Sequence, residues 1–384
     1  MKIKFGIDAT FTLHGGSHGH LVEFIKNISR SYSKSDLILY LKKENLIILD
    51  KDVLNKCSIK IIKLVSFGNI FRLIWCQLLL PILVKIDKID VLFCPGNFSP
   101  IFKTTKIKAQ WIATIGPFCK DMYDDISLFS RLSLIMNKFI ILLSGHTSNV
   151  VVHQAEYSKK LFEKEYGFNS SKQFLIQCGK DDFYHPNKEF IKSSNKILKI
   201  TSKDFLYVSH IFPYKNIFRL INAFIIFKKE SIFNVKLYIV GKIMDRAYFN
   251  KLKNLIDNNN LSNEIIFTGP AKKNELRFAY SSCKLFIFPS LCESSGYSLI
   301  EAMSCGAPIL ASNKTAIPDT CRDAAEYFDG YDEKDLLIKL TNISKNNSRL
   351  QLMKSNSLRR SSEMIDYEIS TNIFLDIVKS KLSK

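Results

Sequence analysis

The sequence contains no cysteine pair at CxxC spacing, no low-complexity stretch and no surplus of acid. Its nine cysteines stand at 57, 76, 94, 119, 178, 283, 292, 305 and 321, several inside apolar runs such as VLFCP around Cys94. They read as small buried hydrophobes of a reducing compartment, not as a disulfide framework or a zinc site. Fifteen glycines and ten prolines in 384 residues exclude a collagen-like or unstructured chain. The most apolar window, residues 70–86, is interrupted by Arg72, Gln77, Pro81 and Lys85. It falls short of the roughly 20 apolar residues that a bilayer requires. The N-terminus, MKIKFGIDAT, runs straight into a strand pattern and does not read as a signal peptide. A cytoplasmic location is expected.

Base exceeds acid, with 55 Lys and Arg against 36 Asp and Glu and a formal net charge of +19. Such an excess fits a nucleic acid, a membrane surface or an anionic substrate. It equally fits a compositional bias toward Lys, Ile and Asn that leaves lysines spread over a solvated surface. No RRM, OB or zinc-finger signature accompanies it, and the aromatics fall in apolar strands, so no nucleic-acid partner is expected.

At 384 residues the chain calls for two domains. Short β-branched runs alternate with helix-period stretches, the pattern of parallel sheets built from βαβ units. Strands are predicted at 2–7, 37–41, 59–64, 91–94, 110–115 and 149–153, with helices at 19–31 and 127–143. The second half reads as strands at 204–209, 236–240, 264–268, 284–289 and 308–311, with helices at 217–229, 247–258, 273–281 and 298–304. A polar stretch at 185–196, HPNKEFIKSSNK, marks the seam. The expected division is a first Rossmann-like domain over 1–186 that binds an acceptor and a second over 187–355 that binds a donor. A helical tail over 356–384 can cross back to the first domain. The fold class is α/β, two doubly wound sheets facing a cleft at their C-terminal strand edges, with C-terminal helices.

The segment Phe288–Leu310, FPSLCESSGYSLIEAMSCGAPIL, carries the most chemistry. A strand ends, a Ser/Gly loop follows and a helix opens, so unpaired N–H groups can hold a phosphate. Glu293 precedes the loop and Glu301 lies in the helix, at E-x7-E spacing. Such carboxylates can accept paired hydrogen bonds from sugar or ribose hydroxyls. Glu301 also reads as an acid complementing the helix dipole.

This segment resembles the signature of the retaining glycosyltransferases of family 4, the "glycosyl transferases group 1", which have the GT-B fold. Tyr207–Phe224 (YVSHIFPYKNIFRLINAF), Lys236–Gly241 (KLYIVG) and Ile266–Gly269 (IFTG) resemble successive strands of that family's second domain. Asn149–Lys159 (NVVVHQAEYSK) resembles the turn closing the first, with Ala155 where the family has Ser. Ile176–His185 (IQCGKDDFYH) resembles the link between them. The resemblance implies that Glu293 contacts the donor sugar, Glu301 the ribose, and Lys215 the leaving diphosphate. Ser295, Gly296, Tyr297 and Ser298 would cradle the phosphates. It implies a UDP- or GDP-linked sugar as co-substrate and no metal or other cofactor, since a lysine and a helix N-terminus can stand in for a divalent ion. His210 occupies the place of a usual arginine, either protonated beside the diphosphate or covered by another cation.

In the first half, residues 14–20 (HGGSHGH) stand where the family has a glycine-rich loop closing over the donor phosphate. Gly15 and Gly16 would allow close backbone approach. His18 and His20 would reach the acceptor or remain solvent-facing. In Trp111–Phe118 (WIATIGPF), Thr114 stands where an acceptor-facing His or Asn is often found. Residues 67–88 and 136–143 are candidates for contact with the inner face of the cell membrane, although their plainer reading is as helices covering a sheet. The implied activity is hexosyl transfer to a glycan, one carried on a lipid, in cell-surface polysaccharide or lipopolysaccharide synthesis. The alternatives are a sugar-nucleotide epimerase of the same fold and a non-enzymatic protein binding nucleic acid or an anionic surface.

Overall fold

The computed structural model describes residues 3–10, 17–49, 51–62, 68–124, 126–187, 189, 195–230 and 234–383. The chain divides into two units. The first comprises Met1–Phe118, Ile126–Gly179 and Ile365–Lys384. Its strands are β1 (Phe5–Asp8), β2 (Leu37–Leu41), β3 (Ser58–Ile61), β4 (Val91–Cys94), β5 (Ile107–Trp111), β6 (Val150–His153) and β7 (Gln173–Leu175). They form one parallel sheet in the order β3-β2-β1-β4-β5-β6-β7. The strands β2, β4, β5 and β6 are buried along their whole length. Helices cover both faces of such a sheet, which is why the strands read as continuous apolar runs and not as alternating ones. The chain steps from β1 outward to β3 and then returns to place β4 on the other side of β1, so the order reverses between β1 and β4.

The window at residues 70–86 is helical, running from Gly68–Ile74 through a π-helical turn, Trp75–Leu79, into Leu80–Ile86. The last helix of the chain, Tyr367–Leu382, belongs to this unit. Its Phe374 has no exposed surface and joins Phe5, Phe24, Phe93 and Trp111, with ring centroids 4.6 Å from Phe93 and 5.3 Å from Phe24.

The second unit comprises Cys119–Asp125 and Lys180–Met364. Its strands are β8 (Phe205–Val208), β9 (Leu237–Val240), β10 (Ile265–Gly269), β11 (Leu285–Phe288), β12 (Ile309–Ser312) and β13 (Ala325–Phe328). They pair in parallel in the order β10-β9-β8-β11-β12-β13. The order again reverses beside the first strand, here between β8 and β11. At the end of β9, Gly241 has φ +152°, and a Cβ there would lie 1.8 Å from the carbonyl oxygen of Ser209. The glycine of KLYIVG is therefore a requirement of close backbone approach.

Several features differ from the sequence expectation. The division falls at Gly179/Lys180, ahead of the polar stretch at 185–196. The link is held in the second unit by Lys273 on Asp181 (2.8 Å) and by Tyr184 against Tyr280. The helix Asn347–Ser362 stays in the second unit, and only Ile365–Lys384 joins the first. The strands β7 and β13 were not expected. Cys119 and Cys292, read as free, are joined in a disulfide with their Cα atoms 6.3 Å apart, within the ordinary range for such a bond. They are 173 residues apart, a proximity that no local spacing reports. The other seven cysteines are buried and form no disulfide.

If the tail completes the first core, Phe374→Ala should lower its stability by about 3–5 kcal/mol in a denaturant titration. Ile373→Ala, at a 39% exposed neighbour, serves as the control and should stay near wild type. Equal midpoints for the two would contradict the assignment.

Candidate functional site

In an open parallel sheet, ligands bind outside the carboxyl ends of the strands where the strand order reverses. In the second unit that place lies between β8 and β11. The segment after β8 brings His210, Tyr214 and Lys215, and the segment after β11 brings Glu293. The two meet directly: Lys215 Nζ donates to Glu293 Oε1 at 2.5 Å, with the Lys215 side chain buried and that of Glu293 11% exposed. Lys215 also lies 4.9 Å from the Tyr214 ring centroid and 5.8 Å from that of Phe288. Burial acts to lower the Lys215 pKa, but the Glu293 charge and Tyr214 outweigh it, and the ammonium titrates above its ordinary value.

The backbone around Lys215 is pinned by Asn216, a buried residue in the left-handed region at φ +60°. Its Nδ2 donates to the carbonyls of Pro289 (3.0 Å) and Gly330 (2.8 Å). Leu291 N–H donates to Tyr214 O (2.9 Å). On the other side, Glu293 N–H donates to Thr315 Oγ1 at 2.9 Å. The ion pair is thus built on strand ends and fixed by backbone bonds.

His210 is not the cation that the arginine comparison suggests. Burial first, and the charge of Lys215 second, lower its pKa to about 4, so the imidazole is neutral at neutral pH. Its Nε2 shares a hydrogen bond with Tyr214 Oη at 3.0 Å.

The helix Tyr297–Ser304 begins one residue before the predicted start. Its N-cap, Gly296, sits at φ +74° and, lacking a side chain, contributes no side-chain cap bond to the first turn. Ser295 is buried, its hydroxyl has no partner and its carbonyl accepts from Thr320 Oγ1 at 2.5 Å. One turn into the helix, Glu301 Oε2 accepts from Tyr280 Oη at 3.1 Å. Burial raises the Glu301 carboxyl to about 7 against the pull of the Tyr280 and Tyr184 hydroxyls. Sequence reasoning missed Tyr184, Tyr280, Tyr214 and Asn216, because their importance lies in partners distant along the chain.

In the first unit, Thr114 is exposed beyond the end of β5, its backbone tied to the Asn97 side chain by bonds of 2.7 and 3.0 Å. Gly15 and Gly16 lie outside the described residues, as do the side chains of His18 and His20. At the reversal between β1 and β4 sits an acid that the sequence reading did not select, Asp8. Its Oδ1 accepts from Thr10 Oγ1 (2.6 Å) and Trp75 Nε1 (3.1 Å). Burial raises its pKa. Among the described residues, no group of three or more His, Cys, Asp or Glu is placed to hold a metal ion.

Solved structures define the class. The chain resembles WaaG, described as a glycosyltransferase involved in lipopolysaccharide biosynthesis, with a TM-score of 0.75 and 14% identity over 97% of this chain and 99% of that one. It resembles Anabaena Alr3699/HepE, solved in complex with UDP and glucose, with a TM-score of 0.72 and 15% identity over 98% and 100%. At such identities the likeness concerns the fold, which is GT-B.

Sequence comparison adds a match within the second unit. Residues 188–360 match the model described as "Glycosyl transferases group 1", the family read above from Tyr207–Phe224 and Phe288–Leu310. The match covers nearly the whole second unit and a little under half of the chain. Among curated proteins, a serotype-specific mannosyltransferase WbdA of Escherichia coli is 32% identical over 149 residues, 38% of this chain and 18% of its own length. The chain spans less than a third of the length of the first curated relatives it matches.

The Lys215–Glu293 pair makes a stability prediction. Lys215→Met leaves the largely buried Glu293 carboxylate uncompensated and should cost about 3 kcal/mol. Adding Glu293→Leu should recover most of that loss, as read by the denaturation midpoint. Additive losses would show that the two charges are not coupled.

Proposed function

We propose that the protein is a retaining glycosyltransferase that moves a hexose from a UDP- or GDP-sugar to a glycan acceptor carried on a lipid. The setting is cell-surface polysaccharide or lipopolysaccharide synthesis at the inner face of the membrane. The observation that carries this reading is the largely buried Lys215–Glu293 pair at the reversal between β8 and β11, inside the stretch that matches the group 1 family. The relatives suggest the order in which donors should be tested. Several are mannosyltransferases, which puts GDP-mannose first.

The chemistry follows from these groups. An ammonium has three donors, and Glu293 occupies one of them. The others can meet the diphosphate, while the second oxygen of Glu293 accepts from a sugar hydroxyl. As the bond between C1 and the phosphate oxygen breaks, its electron pair leaves with the nucleoside diphosphate. Lys215 and the partial positive charge at the N-terminus of the helix Tyr297–Ser304 stabilise the charge that develops. The acceptor oxygen bonds to C1 on the face just vacated, and its proton passes to the departing phosphate. No metal enters this scheme, so a chelator should leave the rate unchanged.

Glu301 is assigned to the ribose hydroxyls. An ionised carboxylate accepts such bonds on both oxygens and more strongly than the neutral acid, and burial raises the pKa of this one to about 7. The folded pKa lies above the ordinary value of 4.5, so ionisation costs stability as pH rises from about 4.5 to about 7. Nucleotide binding should change in the opposite direction, strengthening from pH 6 to pH 8 and levelling above. Glu301→Gln should flatten that profile in a calorimetric titration, and an unchanged profile would remove Glu301 from the ribose site.

The direct test is transfer assayed with GDP-mannose, UDP-glucose, UDP-galactose and UDP-N-acetylglucosamine, with the anomeric configuration of the product read by NMR. One donor should support transfer with retention, and Glu293→Gln should reduce the rate about 100-fold or more. Binding of no sugar nucleotide, or an inverted product, would overturn the reading.

A further inference from the structure

The helix Leu128–His146 in the first unit is capped by Ser127 and runs for 19 residues. By length and composition it could cross a membrane. Its packing argues otherwise. Ile140, Ile141, Ser144 and Gly145 are buried. Gln110 Nε2 donates to Ile141 O (3.3 Å), and Ser148 Oγ donates to Ser144 O (2.7 Å). A helix locked to its sheet along one side cannot also be surrounded by lipid.

The opposite side is open and apolar. Leu128, Phe129, Leu132, Ile135, Phe139 and Leu143 are between 41% and 79% exposed. Their spacing of mostly three or four residues makes one stripe, about 22 Å long at 1.5 Å per residue. Single exposed apolar residues are ordinary, but a continuous stripe of large ones is not. A second group accompanies it on the helical stretch at 75–86, where Leu78, Ile82 and Ile86 are each more than half exposed. The turn bearing Phe102, 75% exposed, is tied to both helices. Gln77 bonds to Ser99 O (3.1 Å) and Ile101 N (2.8 Å), and Ser99 Oγ donates to Ser144 O (3.5 Å).

Charge selects the occupant. Neither helical stretch contains an acid, and Arg131, Lys85 and Lys103 are exposed around the apolar side chains. In a symmetric dimer these cations would face copies of themselves. An anionic surface complements them. We propose that this face rests in the interfacial layer of a bilayer rich in anionic phospholipid, the helix lying in the membrane plane with Phe129 and Phe139 among the acyl chains. The inference goes beyond the proposed transfer reaction and supplies a surface by which a lipid-linked acceptor would be met.

The test uses the full-length protein and extruded vesicles, without donor or acceptor. Flotation should recover it with phosphatidylethanolamine–phosphatidylglycerol vesicles and much less with pure phosphatidylcholine, and 0.5 M salt should weaken binding. Phe129→Asp together with Phe139→Asp should reduce recovery at least tenfold while the thermal unfolding midpoint holds, since both side chains already face solvent. Absence of binding to the anionic vesicles, or undiminished binding by the double variant, would falsify the proposal. So would a stable dimer of the wild type that the double variant dissolves. Transfer to a water-soluble acceptor, unchanged in the variant, keeps failure of the membrane surface separate from failure of the proposed activity.

Discussion

The adjacency of β8 and β11 is the constraint on which the candidate site depends. A parallel sheet requires a crossover between neighbouring strands, and in this unit the chain covers β9 and β10 before returning to the free side of β8. Lys215 and Glu293, 78 positions apart, thereby emerge side by side at one carboxyl edge. The surrounding bonds serve that juxtaposition: Asn216 reaching Pro289 and Gly330, and Leu291 reaching Tyr214. A buried ion pair is a poor investment if stability is the only return, since two charges lose their water for one contact. Its retention here makes sense if the charges are meant to be divided between parts of a ligand.

Local pattern revealed most of the architecture and little of the wiring. Strands such as LILYL and VLFC are apolar throughout because both their faces are covered, and this shows in any short window. QFL and AEYF escaped notice because one is three residues long and the other carries an acid. The helix Tyr367–Leu382 announces itself as a helix, yet nothing in its periodicity says that Phe374 completes the core around Phe93 and Trp111. The same holds for Leu128–His146. Periodicity gives a stripe, and only the burial of Ile141 and Ser144 tells which side faces inward.

The candidate site divides along the same line. The E-x7-E spacing, the glycine at the helix start and the lysine after β8 are sequence features, and they single out the segments that the structure places at the sheet edge. The partners are not. Tyr280 is 21 residues from Glu301, and the Cys119–Cys292 bridge closes 173 residues. Electrostatics were equally hidden, because protonation depends on burial. His210 was read by analogy with an arginine, but in its covered position the neutral form prevails, and Tyr214 takes the bond that a phosphate would have taken.

That shift changes how an anion could be held. Lys215 and Glu293 together carry no net charge, and a neutral His210 adds none. A diphosphate approaching this edge would meet an ammonium whose charge Glu293 already balances and a carboxylate that repels it. Attraction must then come from the dipole at the N-terminus of the helix Tyr297–Ser304 and from a ligand that also occupies Glu293. A sugar linked to the diphosphate does both: its hydroxyls engage the carboxylate and free the ammonium for the phosphate. On the proposed function, the pair would favour an intact sugar nucleotide, since neither half of such a ligand would separate the charges as effectively alone.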